Sequence, residues 1–404
     1  MSGPVERPVA PLHEGRFARF EAIDWWDQSR IDAARVLLVG VGALGNEVLK
    51  NLALLGVGQV VVVDMDRVAP SNLSRSVLFR ESDEGLPKAE CAARGARRLY
   101  QKMRITPLVG NAAADVGLGY FRWADVVVGA LDNREARVFV NSACARVGRV
   151  WFDGGIEVLH GVVRGFAPPA TACYECTMSE LDWKLVNQRR SCSLIERRAA
   201  VERGVPTTPT TASVIGALQA QEVLKVLHGL DALLGRGFVL EGLGHSSYAV
   251  RYPVSPDCGW HEPPPPIEPL PEVSSDTPLA TLWEEGAARL GELDGLDLSR
   301  ELVERLACPR CGAADSLLGP VERVDPERAA CPRCGSERVP TFFHSLPAGS
   351  ELLRRTAREI GLPAWDIVWA RRGPECVGLL LGGDDPQLAA GRPPEQPGKV
   401  PWGP

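Results

Sequence analysis

No apolar run in this sequence is long enough to span a bilayer, which argues against a helical membrane protein. The first residues, MSGPVERPVAPLHEGRF, place no apolar segment behind their charges, so no secretory signal is expected. Basic residues are not in excess. The formal net charge is −6, which leaves no electrostatic footprint for nucleic acid. No internal repeat is visible beyond one pair of CPRCG units. The 404 residues suffice for a sizeable core and for two or three domains. A hydrophobic fraction of 45% and a charged fraction of 24% are ordinary for a soluble globular chain. The expected location is therefore the cytoplasm, where thiols stay reduced. The 11 cysteines then point to metal ligation or a reactive thiol rather than to disulfides.

Residues 1–30 read as an N-terminal arm with an amphipathic end. From Arg35 to Gly148 short apolar runs alternate with helical patterns: RVLLVG, NEVLKNLALLG, VGQVVVVDMD, KAECAARGARRLYQKM, ADVVVGALDN and REARVFVNSACARVG. That alternation predicts an α/β fold with a doubly wound, mainly parallel sheet. An irregular region over 167–211 is followed by a helix, SVIGALQAQEVLKVLHGL, and by two strands of a hairpin or sheet edge. HEPPPPIEPLPEV marks a proline-rich linker, placed at 263–277. Residues 278–384 read as a small α+β domain: mixed helical sequence up to Ala307, the CPRCG pair, a helix over 351–362, and a strand at WDIVWARR. The tail, 385–404, is polar and rich in proline and glycine, which predicts disorder.

Gly40-Val41-Gly42-Ala43-Leu44-Gly45 lies between an expected strand and an expected helix. Its glycines permit a tight turn and close approach of backbone to phosphate, and the helix start offers free N–H groups. Asp64 ends the next strand at the distance that suits a ribose contact. Alone, this pattern means a Rossmann-like nucleotide site and fits a dehydrogenase equally well. More follows, however: Asp64-Met65-Asp66-Arg67-Val68, Ser71-Asn72-Leu73-Ser74-Arg75, Pro87-Lys88 and Leu131-Asp132-Asn133. Together these motifs resemble the adenylation domain of the ThiF/MoeB/ubiquitin-activating (E1-like) family over about residues 16–262.

The resemblance implies an ATP site in 31–262. Asp64 would hold ribose, with Asp66 beside it; Asn72 and Arg75 would contact phosphates, Lys88 would reach the triphosphate, and Asp132 would bind magnesium. These residue types suit the chemistry. A carboxylate nucleophile is already ionised at pH 7, so the site must stabilise charge growing on phosphate. The bland alternative makes Arg75 and Lys88 solvated surface charges. Arg16-Phe17-Ala18-Arg19 resembles a bacterial R-Y-x-R whose second arginine enters the partner's site. Arg19 is then either a homodimer contribution or an ordinary surface arginine.

Cys173 and Cys176 form a C-x-x-C in a loop, readable as a redox dithiol or half a metal site. The family likeness implies a structural zinc shared with Cys258 and His261, where relatives carry a fourth cysteine. Cys308, Cys311, Cys331 and Cys334 form two C-x-x-C pairs separated by 19 residues, the spacing of a zinc ribbon. Cys91 and Cys144 fall in predicted helices and read as core residues. Cys192 lies in the crossover segment 177–211, among Arg189, Arg190, Arg197 and Arg198. Neighbouring cations favour a thiolate, and in thioester-forming relatives the catalytic cysteine occupies this segment. A non-catalytic loop cysteine is the alternative.

The expected activity is ATP-dependent adenylation of the C-terminal glycine of a ubiquitin-like protein, thioester formation on Cys192, and transfer to a conjugating enzyme. Residues 351–369 are faintly similar to a ubiquitin-fold domain that recruits such an enzyme. The layout looks like that of the compact, homodimeric bacterial members. One rival is a sulfur-carrier adenylyltransferase that stops at the acyl-adenylate or uses Cys192 as a persulfide. The other is a scaffold without catalysis.

Overall fold

The computed structural model describes residues 15–191 and 206–384. Two short helices, α1 (Ala18–Glu21) and α2 (Gln28–Ala33), precede the first sheet. In that sheet β1 (Arg35–Val39), β2 (Gln59–Asp64), β3 (Arg104–Val109), β4 (Val126–Gly129) and β5 (Trp151–Glu157) run parallel. β6 (His160–Phe166), β7 (Arg236–Glu241) and β8 (Ser246–Arg251) continue it antiparallel. The strand order is 3-2-1-4-5-6-7-8, so the chain changes winding direction between β1 and β4. A crevice opens at that switch point, outside the carboxyl ends of the strands. Val39 lies beside Val63 on one side and Gly129 on the other, which brings the segments after β1, β2 and β4 to one place.

The apolar run of β1 is continuous because both faces are covered. Val36 and Leu38 pack in a core with α3 (Ala43–Leu55) and α5 (Lys88–Leu99). A one-turn helix, α4 (Pro70–Leu73), lies between these two in sequence. Leu37 and Val39 pack on the opposite side with α7 (Leu118–Trp123) and α8 (Arg134–Val147). α6 (Ala112–Asp115) leads into α7, and α9 (Glu180–Ser191) follows the C-x-x-C loop. α10 (Pro209–His228) is capped by the Thr208 hydroxyl and closes the first core with Ala220 and Val223.

The second sheet has the order β11 (Ala314–Gly319), β10 (Gly295–Ala307), β13 (Ile367–Arg372), β14 (Glu375–Leu381), β9 (Ile267–Leu270), with β12 (Val339–Pro347) also on β10. Three expectations need correction here. The segment 263–277 is not merely a linker, because β9 pairs in parallel with β14. Helical sequence ends with α11 (Leu279–Leu290), and 295–307 is a strand. Leu298, Leu302 and Leu306 have helical spacing, but pairing with three neighbouring strands decides the outcome. Residues 351–362 hold one 3-10 turn, Glu351–Arg354, and irregular turns instead of a helix. Thr356 N–H donates to the Glu359 carboxylate at 2.8 Å while Glu359 N–H donates to the Thr356 hydroxyl at 3.1 Å. This reciprocal pair is a capping box, which makes Thr356 an N-cap and so interrupts a helix running on from 351.

The two sheets share a core. Trp365, Ile367, Trp369 and Leu380 pack among Leu118, Tyr120 and Phe121. Gly117 and Gly119 make this possible, since a Cβ on either would lie 2.3–2.4 Å from a carbonyl oxygen of Ala364 or Trp365. At the seam, fully buried Asp366 accepts from Leu118 N–H at 2.9 Å and from the Ser299 hydroxyl at 2.6 Å. The Arg300 guanidinium lies 3.4 Å from the same carboxylate and donates to the Val116 carbonyl at 2.9 Å. Removing one partner of a buried pair strands the other charge. Asp366→Ala is therefore expected to lower unfolding stability by about 3 kcal/mol. Urea denaturation followed by tryptophan emission checks this, and a loss below about 1 kcal/mol would contradict the role given to the seam.

Candidate active site and metal centres

The turn after β1 is held by steric exclusion. Gly40 has φ +91, and a Cβ there would sit 2.4 Å from the Ala130 carbonyl oxygen. A Cβ on Gly45 would sit 2.0 Å from the Gly40 oxygen. At Gly42 a Cβ would meet nothing within 4 Å, so this glycine alone of the three leaves open space above the loop. The start of α3 therefore faces the crevice with free N–H groups, the arrangement that holds phosphate.

Asp64, at the end of β2, accepts from Val41 N–H and Asp66 N–H, both at 2.8 Å. Its carboxylate thus fixes the glycine loop as well as lining the crevice. Burial raises its pKa above the ordinary value, opposed by the Val41 N–H bond and the charge of Lys88. Lys88, the first residue of α5, is buried, and its ammonium lies 2.8 Å from the Asp66 carboxylate. Asn72 caps the start of α4 by accepting from Ala69 N–H at 2.9 Å, which leaves its amide N–H groups to offer. Arg75 follows α4, half-buried, and has no ion-pair partner among the described residues. Asp132 is exposed just after β4 and accepts from the Asn133 amide at 3.0 Å. The fold thus brings Gly40, Gly42, Gly45, Asp64, Asp66, Lys88 and Asp132 to the ends of three adjacent strands. Arg19 lies apart from them on α1, exposed. Cys192 lies outside the described residues.

Both cysteine groups assemble. The ligand atoms of Cys173, Cys176, Cys258 and His261 lie within 4.8 Å of one another, as do those of Cys308, Cys311, Cys331 and Cys334. Cys173 Sγ is 3.6 Å from Cys258 Sγ, and Cys176 Sγ is 3.0 Å from His261 Nε2. His261 Nδ1 faces the Pro169 carbonyl at 3.4 Å, the outer contact that commonly orients a ligating imidazole. In the second group each C-x-x-C closes a tight turn. Gly312 N–H donates to the Cys308 carbonyl at 3.0 Å and Gly335 N–H to the Cys331 carbonyl at 2.9 Å, with positive φ at both glycines. Cys₃His and Cys₄ donor sets both suit tetrahedral zinc. Cys91 and Cys144 are buried in the core, as expected.

The model of the ThiF family matches residues 15–258. The chain belongs to the ThiF family. Its similarity to the "SAMP-activating enzyme E1" of Haloferax volcanii is 33% identity over 247 residues, covering 57% of this chain and 81% of that protein. The "Sulfur carrier protein adenylyltransferase" of Thermus thermophilus is 34% identical over 241 residues, 57% of this chain and 84% of that protein. The "Nedd8-activating enzyme E1 catalytic subunit" of Drosophila melanogaster is 38% identical over 157 residues, 36% of this chain and 35% of that one. Among solved structures, E. coli MccB with ATP gives a TM-score of 0.51 at 22% identity, covering 62% of this chain and 74% of that one. That likeness supports the ThiF fold alone.

Sequence reasoning missed the residues that position the ThiF site. Asn46, fully buried on α3, donates to the Val41 and Gly42 carbonyls and accepts from Leu78 N–H at 2.9 Å. It ties the glycine loop to the segment just past Arg75. Arg137 donates to the Leu131 carbonyl at 2.6 Å and to buried Asp153 at 2.7 Å, which steadies the chain just before Asp132. The Gln219 amide on α10 donates to the Gly129 carbonyl at 3.0 Å. No short motif marks these side chains, since Asn46 and Arg137 each tie a nearby carbonyl to a partner further along the chain and Gln219 reaches Gly129 from 90 residues away.

The expected metal content is about two zinc ions per chain. Plasma emission measured on reduced, purified protein should fall to about one in Cys308→Ser/Cys311→Ser. A wild-type content well below one zinc per chain would contradict both sites.

Proposed function

We propose that this chain uses ATP to activate the C-terminal glycine carboxylate of a ubiquitin-like protein. What carries this reading is the gathering of Gly42, Asp64, Lys88 and Asp132 at one switch point in a ThiF chain. ATP is the co-substrate: the partner's carboxylate oxygen would bond to its α-phosphorus, the bond to the β-phosphate would break, and pyrophosphate would leave. The rest is work for the chain's own residues. Loop N–H groups and the start of α3 bind phosphate oxygens. Lys88, delivered by α5 and steered by Asp66, offers a cation to the developing charge, and Arg75 offers another. Asn72 supplies amide donors. Asp132, exposed just after β4, would hold magnesium. Arg19 from a second copy would complete the site, which makes the enzyme a homodimer.

In the second half-reaction the Cys192 thiolate would attack the acyl-adenylate, expel AMP and carry the partner as a thioester. The domain built on the second sheet would then receive a conjugating enzyme. Likeness to the Haloferax enzyme supports this course. The second reading stops at the acyl-adenylate of a sulfur-carrier protein, and likeness to the Thermus protein over 84% of its length favours it. No described cysteine is joined in a disulfide, which suits a reducing compartment, and we place the enzyme in the cytoplasm. No helix among the described residues is long and apolar enough to cross a membrane.

Pyrophosphate exchange into ATP, dependent on a candidate ubiquitin-like protein, measures the first half-reaction. Lys88→Ala and Arg75→Ala are each expected to slow it about 100-fold without unfolding the chain. Full exchange in both variants would overturn the phosphate-site assignment. Cys192→Ala should retain exchange but lose the thiol-sensitive band on a non-reducing gel. If wild type exchanges and forms no such band, the sulfur-carrier reading stands instead.

A further inference from the structure

A cavity of about 460 Å³ opens at the seam between the C-terminal end of α8 and the second sheet. That volume suits a small molecule. Arg146 enters from α8, Asp297, Arg300 and Glu301 from β10, Ser345 from β12 and Arg371 from β13. His344 stands exposed beside Ser345. The cavity is separate from the nucleotide crevice. Arg146 lies 12 residues along α8 from Arg134, or about 18 Å by helical rise.

Most of the charge in this cavity is already committed. Asp297 accepts from Arg371 Nε at 2.8 Å and from the Ser345 hydroxyl at 2.6 Å. Arg300 spends its donors on the Ser299 hydroxyl, the Ala113 and Val116 carbonyls and Asp366. Glu301 is exposed at the rim, where water and salt screen it. Arg146 differs from all of these. Among the described residues it makes no hydrogen bond or ion pair, and its buried Nε has no partner. Two indoles flank it, with its guanidinium carbon 5.6 Å from the Trp260 ring and 5.1 Å from the Trp369 ring. Trp260 is itself held by Glu175, at 2.8 Å from its indole N–H, inside the Cys258–His261 loop. The cation is therefore oriented by aromatic faces and not by a carboxylate. Burial pulls its pKa below the ordinary arginine value, and the nearest opposing charges, Asp366 and Asp297, are already bonded to other arginines. The guanidinium is half-buried and lines the cavity without a bonded anion, and its planar fork is suited to bidentate binding of an oxyanion.

We propose that this seam cavity is a second ligand site, which takes the oxyanion group of a small molecule, carboxylate or phosphate, on Arg146. Occupancy would bridge α8 to the second sheet, and so link the two halves of the chain through a metabolite. The proposal does not rest on the adenylation reading, because the site shares no residue with the nucleotide crevice.

The test is calorimetric titration of the full chain with inorganic phosphate and, separately, with acetate, at constant ionic strength in chloride. Saturable binding of either is expected, at least tenfold weaker in Arg146→Gln, with pyrophosphate exchange in that variant unchanged. Phosphate alone would mark a phosphoryl ligand, and acetate binding would mark a carboxylate. Binding that persists unchanged in Arg146→Gln belongs to the glycine loop and would overturn the proposal, as would no binding of either anion. Should Arg146→Gln fail to fold, His344→Glu places a carboxylate at the exposed rim without touching the packed end. It is expected to weaken binding at least tenfold, and unchanged affinity there would also overturn the assignment.

Discussion

The close approach of α3 to the turn after β1 constrains everything built at the switch point. Glycine at position 45 lets the helix sit against the Gly40 carbonyl, and glycine at position 40 lets that turn sit against Ala130 at the end of β4. A side chain at either place would push the helix start away from β1 and β4 together. The rest of the site is arranged around this contact. Asp64 bonds the loop from β2, Asn46 clamps it from inside α3, and Arg137 with Gln219 holds the neighbouring exit of β4 and the chain just before Asp132. The charged residues that would meet a nucleotide are thus carried on a frame whose own polar atoms are bonded. Preorganised donors of this kind need not rearrange as charge develops.

The parts of the fold that were legible in the sequence have a local cause. The alternation of β1 to β5 with helices shows because each strand needs a continuous apolar run and each helix a periodic one. The zinc-ribbon pairs show because one ion demands cysteines at short fixed spacing, whereas the grouping of Cys258 and His261 with Cys173 and Cys176 comes from the family resemblance. What was not legible depends on partners distant in sequence. Residues 295–307 carry leucines at a spacing a helix also accepts, and only pairing with β12 and β13 makes them a strand. Residues 351–362 are the exception, because the Thr356 and Glu359 bonds that interrupt a helix there are local. Asp366 reads as an ordinary aspartate, yet its partner Leu118 is 248 residues away.

The first metal centre does more than close a loop. Cys258 and His261 bracket Trp260, whose indole N–H reaches Glu175 in the opposing C-x-x-C turn, and whose ring covers Arg146. A metal that fixes this loop also fixes one wall of the seam between the two sheets. A metal held by this cluster would thus be linked to the packing of the second sheet through Trp260, Arg146 and Trp369.

The parallel pairing of β9 with β14 bears on how such a chain can be taken apart. β9 begins six residues after His261, so the stretch between the metal loop and α11 belongs structurally to the later half while following directly from the earlier one. Cutting there would not release an interchangeable cassette. It would strip an edge strand from β14 and bare the face of Trp365, Ile367 and Trp369 that is covered by Leu118 and Phe121. In this chain the adenylation unit and its appendage are modular in sequence but not in mechanics, and recombination between relatives at the proline-rich stretch would yield two incomplete surfaces rather than two domains.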